Sequence, residues 1–352
     1  MHISPPTTGT FMTLIGFGPN MPQAPFVAVP RDEAKKTREN LDSIGLLDTQ
    51  FKPREEDDCI LFPLYEGDEE TWFEYAITRT DPHIRLREIF PNGPVPKKWE
   101  RLGDLVLFPL DSFGQREQPP WSDVAQALGA KRIGYQAPID KSVNRTSQAV
   151  LLYGSQGNVT FQENHVTFCF DPFSVMFSSG NLTERKRMAS LDTKNEVIID
   201  AYAGIGYYTL PLLVHGDVKH VHALEMTPKS LEGLSLGLEI NQVQDRCTIH
   251  AGDNKDTLPL LEGLADRVVL GLLPSSEASW KLAARSLKPS GGCIHVHMNI
   301  HENQFANWPE ETKKQFEVYG NWNVFIDHFE KVKSYSPGVW HVVLDLGFRP
   351  KN

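Results

Sequence analysis

The amino-acid sequence predicts an α/β fold, a mostly parallel sheet with a terminal antiparallel hairpin, preceded by smaller α+β modules. Two observations predict it. From Glu196 the apolar runs "VIID", "VHALE", "TIHAGD", "RVVLGLLP" and "CIHVHMN" alternate with helical stretches such as "PKSLEGLSLGLEINQ" and "SSEASWKLAARSLK", the pattern of a parallel sheet covered on both faces. The last segment, "NVFIDHFEKVKSYSPGVWHVVLDLGFR", reads as two long strands joined by "SPG".

Upstream the elements are shorter. "RDEAKKTRENLDSIGLLD" (31–48) places Leu41, Ile44 and Leu47 at helical spacing behind a charged first half, and "CILFPLY" after it is a strand candidate. "PNGPVPKKW" (91–99) interrupts regular structure with three prolines and a glycine. Then "GDLVLFPL" reads as a buried strand, "WSDVAQALGA" as a short helix capped by Ser122 or Asp123, and "AVLLYGSQGNVTFQENHVTFCFD" as two to three strands. The expected organisation is a loose tail over 1–24, a small acidic α+β domain over 25–94, an α+β module over 95–175 and a Rossmann-like domain over 176–352. A sheet of this kind with a terminal hairpin is the architecture of the class I S-adenosylmethionine-dependent transferases.

Composition narrows the functional classes. The 352 residues suit two to three domains, and 40% hydrophobic content can fill their cores. No apolar run approaches the roughly 18 residues that would span a bilayer, and the first 31 residues carry a single charged side chain, Arg31. Cys59, Cys169, Cys247 and Cys293 lack CxxC spacing, so a reducing, cytoplasmic setting is expected. A formal charge of −10 argues against indiscriminate nucleic-acid binding. The charge is uneven, however: acids crowd the first third, whereas 131–188 holds seven bases against four acids, the sign a nucleic-acid contact needs.

In "DAYAGIGYYTLP", Asp200 ends the first strand and Gly204 and Gly206 let backbone approach a ligand before a helix begins. Position 209 is Thr, so GxGxxG is not satisfied, and by itself the loop fits several nucleotides. Glu225 ends the second strand, placed to accept ribose hydroxyls. Asp253 and Asn254 in "AGDN" end the third, where a carboxylate and an amide can read an adenine edge. Three successive strand-end acids are more specific than one loop. The fourth strand ends "GLLPSS" without the Asn/Asp-Pro-Pro-aromatic motif of amino-methylating enzymes, and Ser275 and Ser276 either touch substrate or cap the next helix. His295 and His297 face one side of a strand but lack a third ligand, so no metal site is expected.

Ahead of the glycine loop lies the polar, hairpin-like "FSSGNLTERKR". "MFSSGNLTERKRMASL", "DAYAGIGYYTLP", "EINQVQDRCTIHAGDN", "DRVVLGLLPSSE", "WERLGDLVLFP" and "FEKVKSYSPGVWHVVLDL" together resemble the tRNA wybutosine-synthesizing protein 2 family. The Ser-Gly-Asn run separates this family from the related tRNA guanine-N1 methyltransferases, which carry Asn-Pro-Arg or similar there. The resemblance implies transfer of the 3-amino-3-carboxypropyl group of S-adenosylmethionine to 4-demethylwyosine, beside the anticodon of tRNA(Phe), releasing methylthioadenosine. It implies a tRNA-side role for 95–175, no metal, no membrane, and a monomer.

The same resemblance implies cofactor contacts at Ser178, Arg185, Glu225, Asp253 and Asn254, with Ser178 and Arg185 at the aminocarboxypropyl end. Asp200, Gly204 and Gly206 complete the set from the loop reading. Glu184 aligns with the proton acceptor of the methyltransferase relatives, or else pairs with Lys186, Arg187 or Arg145. Arg145 resembles a family position near cofactor or tRNA, or else is a solvent-exposed loop arginine. Competing readings are a guanine-N1 tRNA methyltransferase, a non-catalytic tRNA-binding relative and a small-molecule methyltransferase.

Overall fold

The computed structural model describes residues 23–48, 51–66, 72–74, 81–114, 119–136 and 147–351. They divide into two compact units, 1–88 and 89–352. The first begins with β1 (Gln23–Pro30), α1 (Ala34–Ser43), β2 (Arg54–Glu56), β3 (Cys59–Pro63) and β4 (Trp72–Glu74), in a four-stranded sheet of order β2-β3-β1-β4; α2 (Pro82–Ile89) closes it. Helix α1 is shorter than expected over 31–48. Gly45, at φ +71°, turns the chain out of the helix, which leaves Ile44 57% exposed while Leu41 and Leu47 are buried.

The second unit opens, after the coil of 91–99, with β5 (Glu100–Leu102), β6 (Leu105–Pro109), α3 (Trp121–Leu128), β7 (Arg132–Gln136) and β8 (Val150–Tyr153), whose strands pair in chain order. Neither Ser122 nor Asp123 caps α3. Pro120 is its N-cap, with no side-chain cap, and Asp123 lies inside the first turn. A hairpin follows from β9 (Val159–Glu163) and β10 (Val166–Phe170).

Helix α4 (Leu182–Ala189) leads into a seven-stranded sheet. Its elements are β11 (Val197–Asp200), α5 (Thr209–His215), β12 (His220–Glu225), α6 (Pro228–Ile240), β13 (Cys247–Ala251), α7 (Asn254–Thr257), β14 (Arg267–Leu270), α8 (Glu277–Ser286), β15 (Gly292–His301), α9 (Trp308–Glu317), β16 (Trp322–Ser336) and β17 (Val339–Pro350). The order is β13-β12-β11-β14-β15-β17-β16. The first five are parallel, and β17 runs antiparallel to both β15 and β16. The terminal hairpin is thus present as expected.

Successive strand residues enter opposite cores, as the pleat demands. Ile198 and Val269 join Phe168, Phe170, Phe177, Met188 and Leu234 on one face. Ile199 and Val268 join Trp280, Phe316 and Leu344 on the other. Burial on both faces is why these strands read as continuous apolar runs. Among the described residues no helix is long and apolar enough to cross a membrane.

Candidate active site

The carboxyl ends of β11, β12 and β13 are laced together by backbone hydrogen bonds: Ala203 N donates to Leu224 O (3.0 Å) and Gly252 N to Glu225 O (3.0 Å). Gly204 (φ +56°) and Gly206 (φ +94°) adopt the left-handed region. A Cβ at either would fall 2.6 Å from the Tyr207 ring or from Leu210 Cγ, so the loop closes only with glycine at both positions. Glu225 is the hub: Oε2 accepts from Gly204 N (2.9 Å), Oε1 from Met226 N (2.9 Å) and Thr227 N (2.6 Å). Asp253 caps α7 by accepting from Lys255 N (2.9 Å), and Asn254 Nδ2 donates to Ala201 O (3.3 Å). Each carboxylate keeps acceptor capacity for a hydroxyl or an amino edge.

Asp200 differs from the other strand-end acids. It has no exposed surface; Oδ2 accepts from Thr209 Oγ1 (2.8 Å) and Oδ1 from Tyr202 N (3.4 Å). Burial, with Glu225 adding repulsion, pushes its carboxyl up to about 6. It shapes the glycine loop from beneath and does not present a ligand contact, which corrects its expected place among the cofactor contacts.

The run "FSSGNLTERKR" is not a hairpin. Phe177 is buried against Phe161, Phe168, Phe170 and Tyr207, one 3-10 turn spans Ser179–Asn181, and α4 follows. Two of its charged residues point inward, Glu184 and Arg185, each 2% exposed. Arg185 donates to Glu163 through Nε (2.6 Å) and Nη2 (2.8 Å), to Ser178 O through Nη1 (2.8 Å), and lies over the Phe177 ring at 4.8 Å. A guanidinium with a bidentate partner is not an open carboxylate receptor, so its expected role at the aminocarboxypropyl end is corrected to that of a pin holding Ser178.

Glu184 takes the ion-pair alternative. Its oxygens accept from Arg187 Nε and Nη2 (both 2.8 Å), Arg187 Nη1 reaches Asp345 Oδ2 (2.7 Å), and Asp345 Oδ1 meets His295 Nδ1 (2.5 Å). Burial pushes Glu184 up, opposed by Arg187. His297 Nε2 lies 3.7 Å from Glu184 Oε1, and its Nδ1 faces His341 Nε2 at 3.0 Å. The histidines on β15 therefore belong to a buried polar network. Arg145 lies outside the described residues. Ser275 accepts from Glu277 N (3.2 Å) and Ser276 from Trp280 Nε1 (3.1 Å), which supports capping and packing at the end of "GLLPSS".

Comparison with known proteins decides the family. The TRM5/TYW2 methyltransferase domain matches residues 159–321, and the tRNA methyltransferase 5 N-terminal domain matches residues 27–73. A tRNA wybutosine-synthesizing protein 2 homolog of Danio rerio is 40% identical over 297 residues, covering 73% of this chain and 72% of its own length. The chain belongs to the tRNA wybutosine-synthesizing protein 2 family.

Within that family, tRNA wybutosine-synthesizing protein 2/3/4 of Arabidopsis thaliana is 41% identical over 268 residues, 72% of this chain but 26% of its own length. The chain thus spans about a quarter of that relative. A crystal structure of P. horikoshii TYW2 in complex with MeSAdo matches with a TM-score of 0.65 at 32% identity, covering 76% of this chain and 99% of that one. The class I fold is shared with the family.

The family resemblance did not point to every charged group at the site. Arg187 is one of the partners the sequence offers for Glu184, but no motif in the chain marks Glu163, Asp345 or Lys333 as part of the site, and Lys333 on β16 donates to Ser178 Oγ at 3.1 Å. The signal for Lys333 lay in Gly180, where a Cβ would stand 3.1 Å from Lys333 Nζ and 3.3 Å from its Cδ. The lysine stem crosses the Ser-Gly-Asn backbone at the point that lacks a side chain.

Proposed function

We propose that this chain transfers the 3-amino-3-carboxypropyl group of S-adenosylmethionine to 4-demethylwyosine next to the anticodon of tRNA(Phe), in wybutosine biosynthesis, with methylthioadenosine as the second product. The observation that carries this reading is the 40% identity to a wybutosine-synthesizing protein 2 homolog over most of both chains. The geometry supports it. Glu225, Asp253 and Asn254 stand together around the glycine loop, where a nucleoside's ribose and adenine require acceptors and a donor.

The donor supplies a sulfonium, which makes each carbon attached to it electrophilic. The chain's residues select which one reacts by orientation. Glu225 holds the ribose, Asp253 and Asn254 the adenine, and Ser178, held by Arg185, faces the aminocarboxypropyl end. Glu184 sits beneath, and its buried ion pair with Arg187 keeps α4 in register with β17. The region 95–175 takes the tRNA side, the protein acts in the cytoplasm, and it works as a monomer.

The test is mass spectrometry of phenylalanine tRNA bearing the tricyclic precursor after incubation with the protein and S-adenosylmethionine. Addition of one aminocarboxypropyl group with methylthioadenosine as by-product is expected. S-adenosylhomocysteine instead would assign the chain to guanine-N1 or other methylation, and light scattering at working concentration checks the monomer.

A further inference from the structure

With Arg185 committed to Glu163, the cation at Ser178 that has no carboxylate partner is Lys333. Among the described residues it makes no ion pair within 4.0 Å, and its ammonium donates to Ser178 Oγ (3.1 Å) from a half-buried position. Burial and the neighbouring Arg185 lower its pKa, against the pull of Glu100. Arg185 and Glu163 pair directly, while Lys333 and Glu100 act on each other without an ion-pair contact among the described residues, which leaves each open to a ligand group of opposite charge.

Glu100 on β5 has the complementary deficiency. Its Oε2 accepts from Gln136 Nε2 (3.2 Å), but Oε1 is buried without a partner, a condition that costs free energy unless a donor arrives. Burial pushes this carboxyl up, opposed by the Ser179 hydroxyl and the Lys333 ammonium. A cavity of about 30 Å³ lies beside it, lined by Glu100, Gln136, Ser147, Met176 and Phe177, with space for roughly two waters or one ammonium head.

Lys333 at Ser178 and Glu100 near Ser179, neither of them in a direct ion pair among the described residues, match the two charges of a zwitterion. We propose that Lys333 and Glu100 are the two-charge receptor for the amino-acid end of the donor, Lys333 with Ser178 meeting its carboxylate and Glu100 its ammonium. This rests on the proposed use of S-adenosylmethionine. It gives Gly180 a reason, because a side chain there would crowd the lysine where it crosses the turn, and it places a residue of the 95–175 region in the donor pocket.

Isothermal titration of the full chain with S-adenosylmethionine, its decarboxylated analogue and methylthioadenosine, without tRNA, tests the assignment. The wild type should bind the decarboxylated analogue at least about tenfold more weakly than S-adenosylmethionine, the worth of one charge-assisted hydrogen bond. Lys333→Met should erase that preference, Lys333→Arg should largely restore it, and Glu100→Gln should weaken both amine-bearing ligands. Methylthioadenosine affinity should stay within about twofold throughout, since that ligand lacks the charged end.

A wild type indifferent to the carboxylate overturns the assignment whatever the variants do. So does a Lys333→Met protein that keeps the preference, or one that loses methylthioadenosine equally. If these binding preferences appear while the tRNA product is a methylated base, the proposed transfer fails and the receptor stands. If the aminocarboxypropyl product forms and the variants bind like wild type, the receptor alone fails.

Discussion

Around the carboxyl ends of β11–β13, the candidate ligand-binding side chains are held by backbone close at hand, whereas around Ser178 they are held by side chains from remote segments. Glu225 accepts from amides 1, 2 and 21 residues away. Arg185 is held by a carboxylate 22 residues away, Arg187 by one 158 away, and Ser178 by a lysine 155 away. The first region is a property of strand-turn-helix units and recurs wherever that unit is used. The second is a property of the assembled domain, and the proposed choice between aminocarboxypropyl transfer and methylation would be made there.

The sharpest way to break the comparison is Arg187→Ala. Removing that guanidinium leaves Glu184 and Asp345, both buried, without their shared cation, so unfolding free energy should drop by about 3–5 kcal/mol, read by urea denaturation. A variant as stable as wild type would show that the network is not what holds α4 to β17. Next in size is Glu225→Ala. It removes both the proposed ribose acceptor and the tie to Gly204, and should weaken S-adenosylmethionine and methylthioadenosine alike by about ten- to a hundredfold. A loss confined to S-adenosylmethionine would place Glu225 on the wrong side of the site.

Gly180→Ala sharpens the boundary between the two regions. The new methyl meets only the flexible end of Lys333, so S-adenosylmethionine affinity should fall by about two- to fivefold while methylthioadenosine affinity holds, because a displaced ammonium forfeits part of one hydrogen bond. A pH-dependent effect is expected outside both regions, at the paired strands β12 and β13. His222 lies 3.0 Å from His250 there, and burial, aided by His220 and His250, lowers its pKa from 6.5 to about 4. The unfolded chain takes up that proton first, so stability from neutral His222 is complete above about 6.5 and is lost as pH falls towards 4. The gap in unfolding free energy between wild type and His222→Gln should therefore narrow across that window; a gap independent of pH would refute the shift.

Much of the first region was legible in the chain. Strand ends, the left-handed glycines and the terminal hairpin leave local marks, because pleat and turn act over a few residues. Asp200 carried the same mark as Glu225, yet it is enclosed beneath the loop, and only its hydrogen bonds to Thr209 and Tyr202 reveal that. Helix α1 stops short of its apolar spacing for a similar reason, since Ile44 keeps that spacing up to the point where Gly45 turns the backbone.

By itself, then, the sequence determined the α/β architecture, the terminal hairpin and the acids at the strand ends, since each follows from periodicity and from short turns. Which charges are already paired was decided by the tertiary structure alone. Arg185 and Lys333 look interchangeable as cations in the chain, but Glu163 from the β9–β10 hairpin occupies the first, and the fold of β16 across Gly180 brings the second to Ser178. A charge's availability depends on what lies within a few ångströms of it, and those neighbours come from 22 residues away for Arg185 and 155 for Lys333, beyond the reach of local sequence pattern.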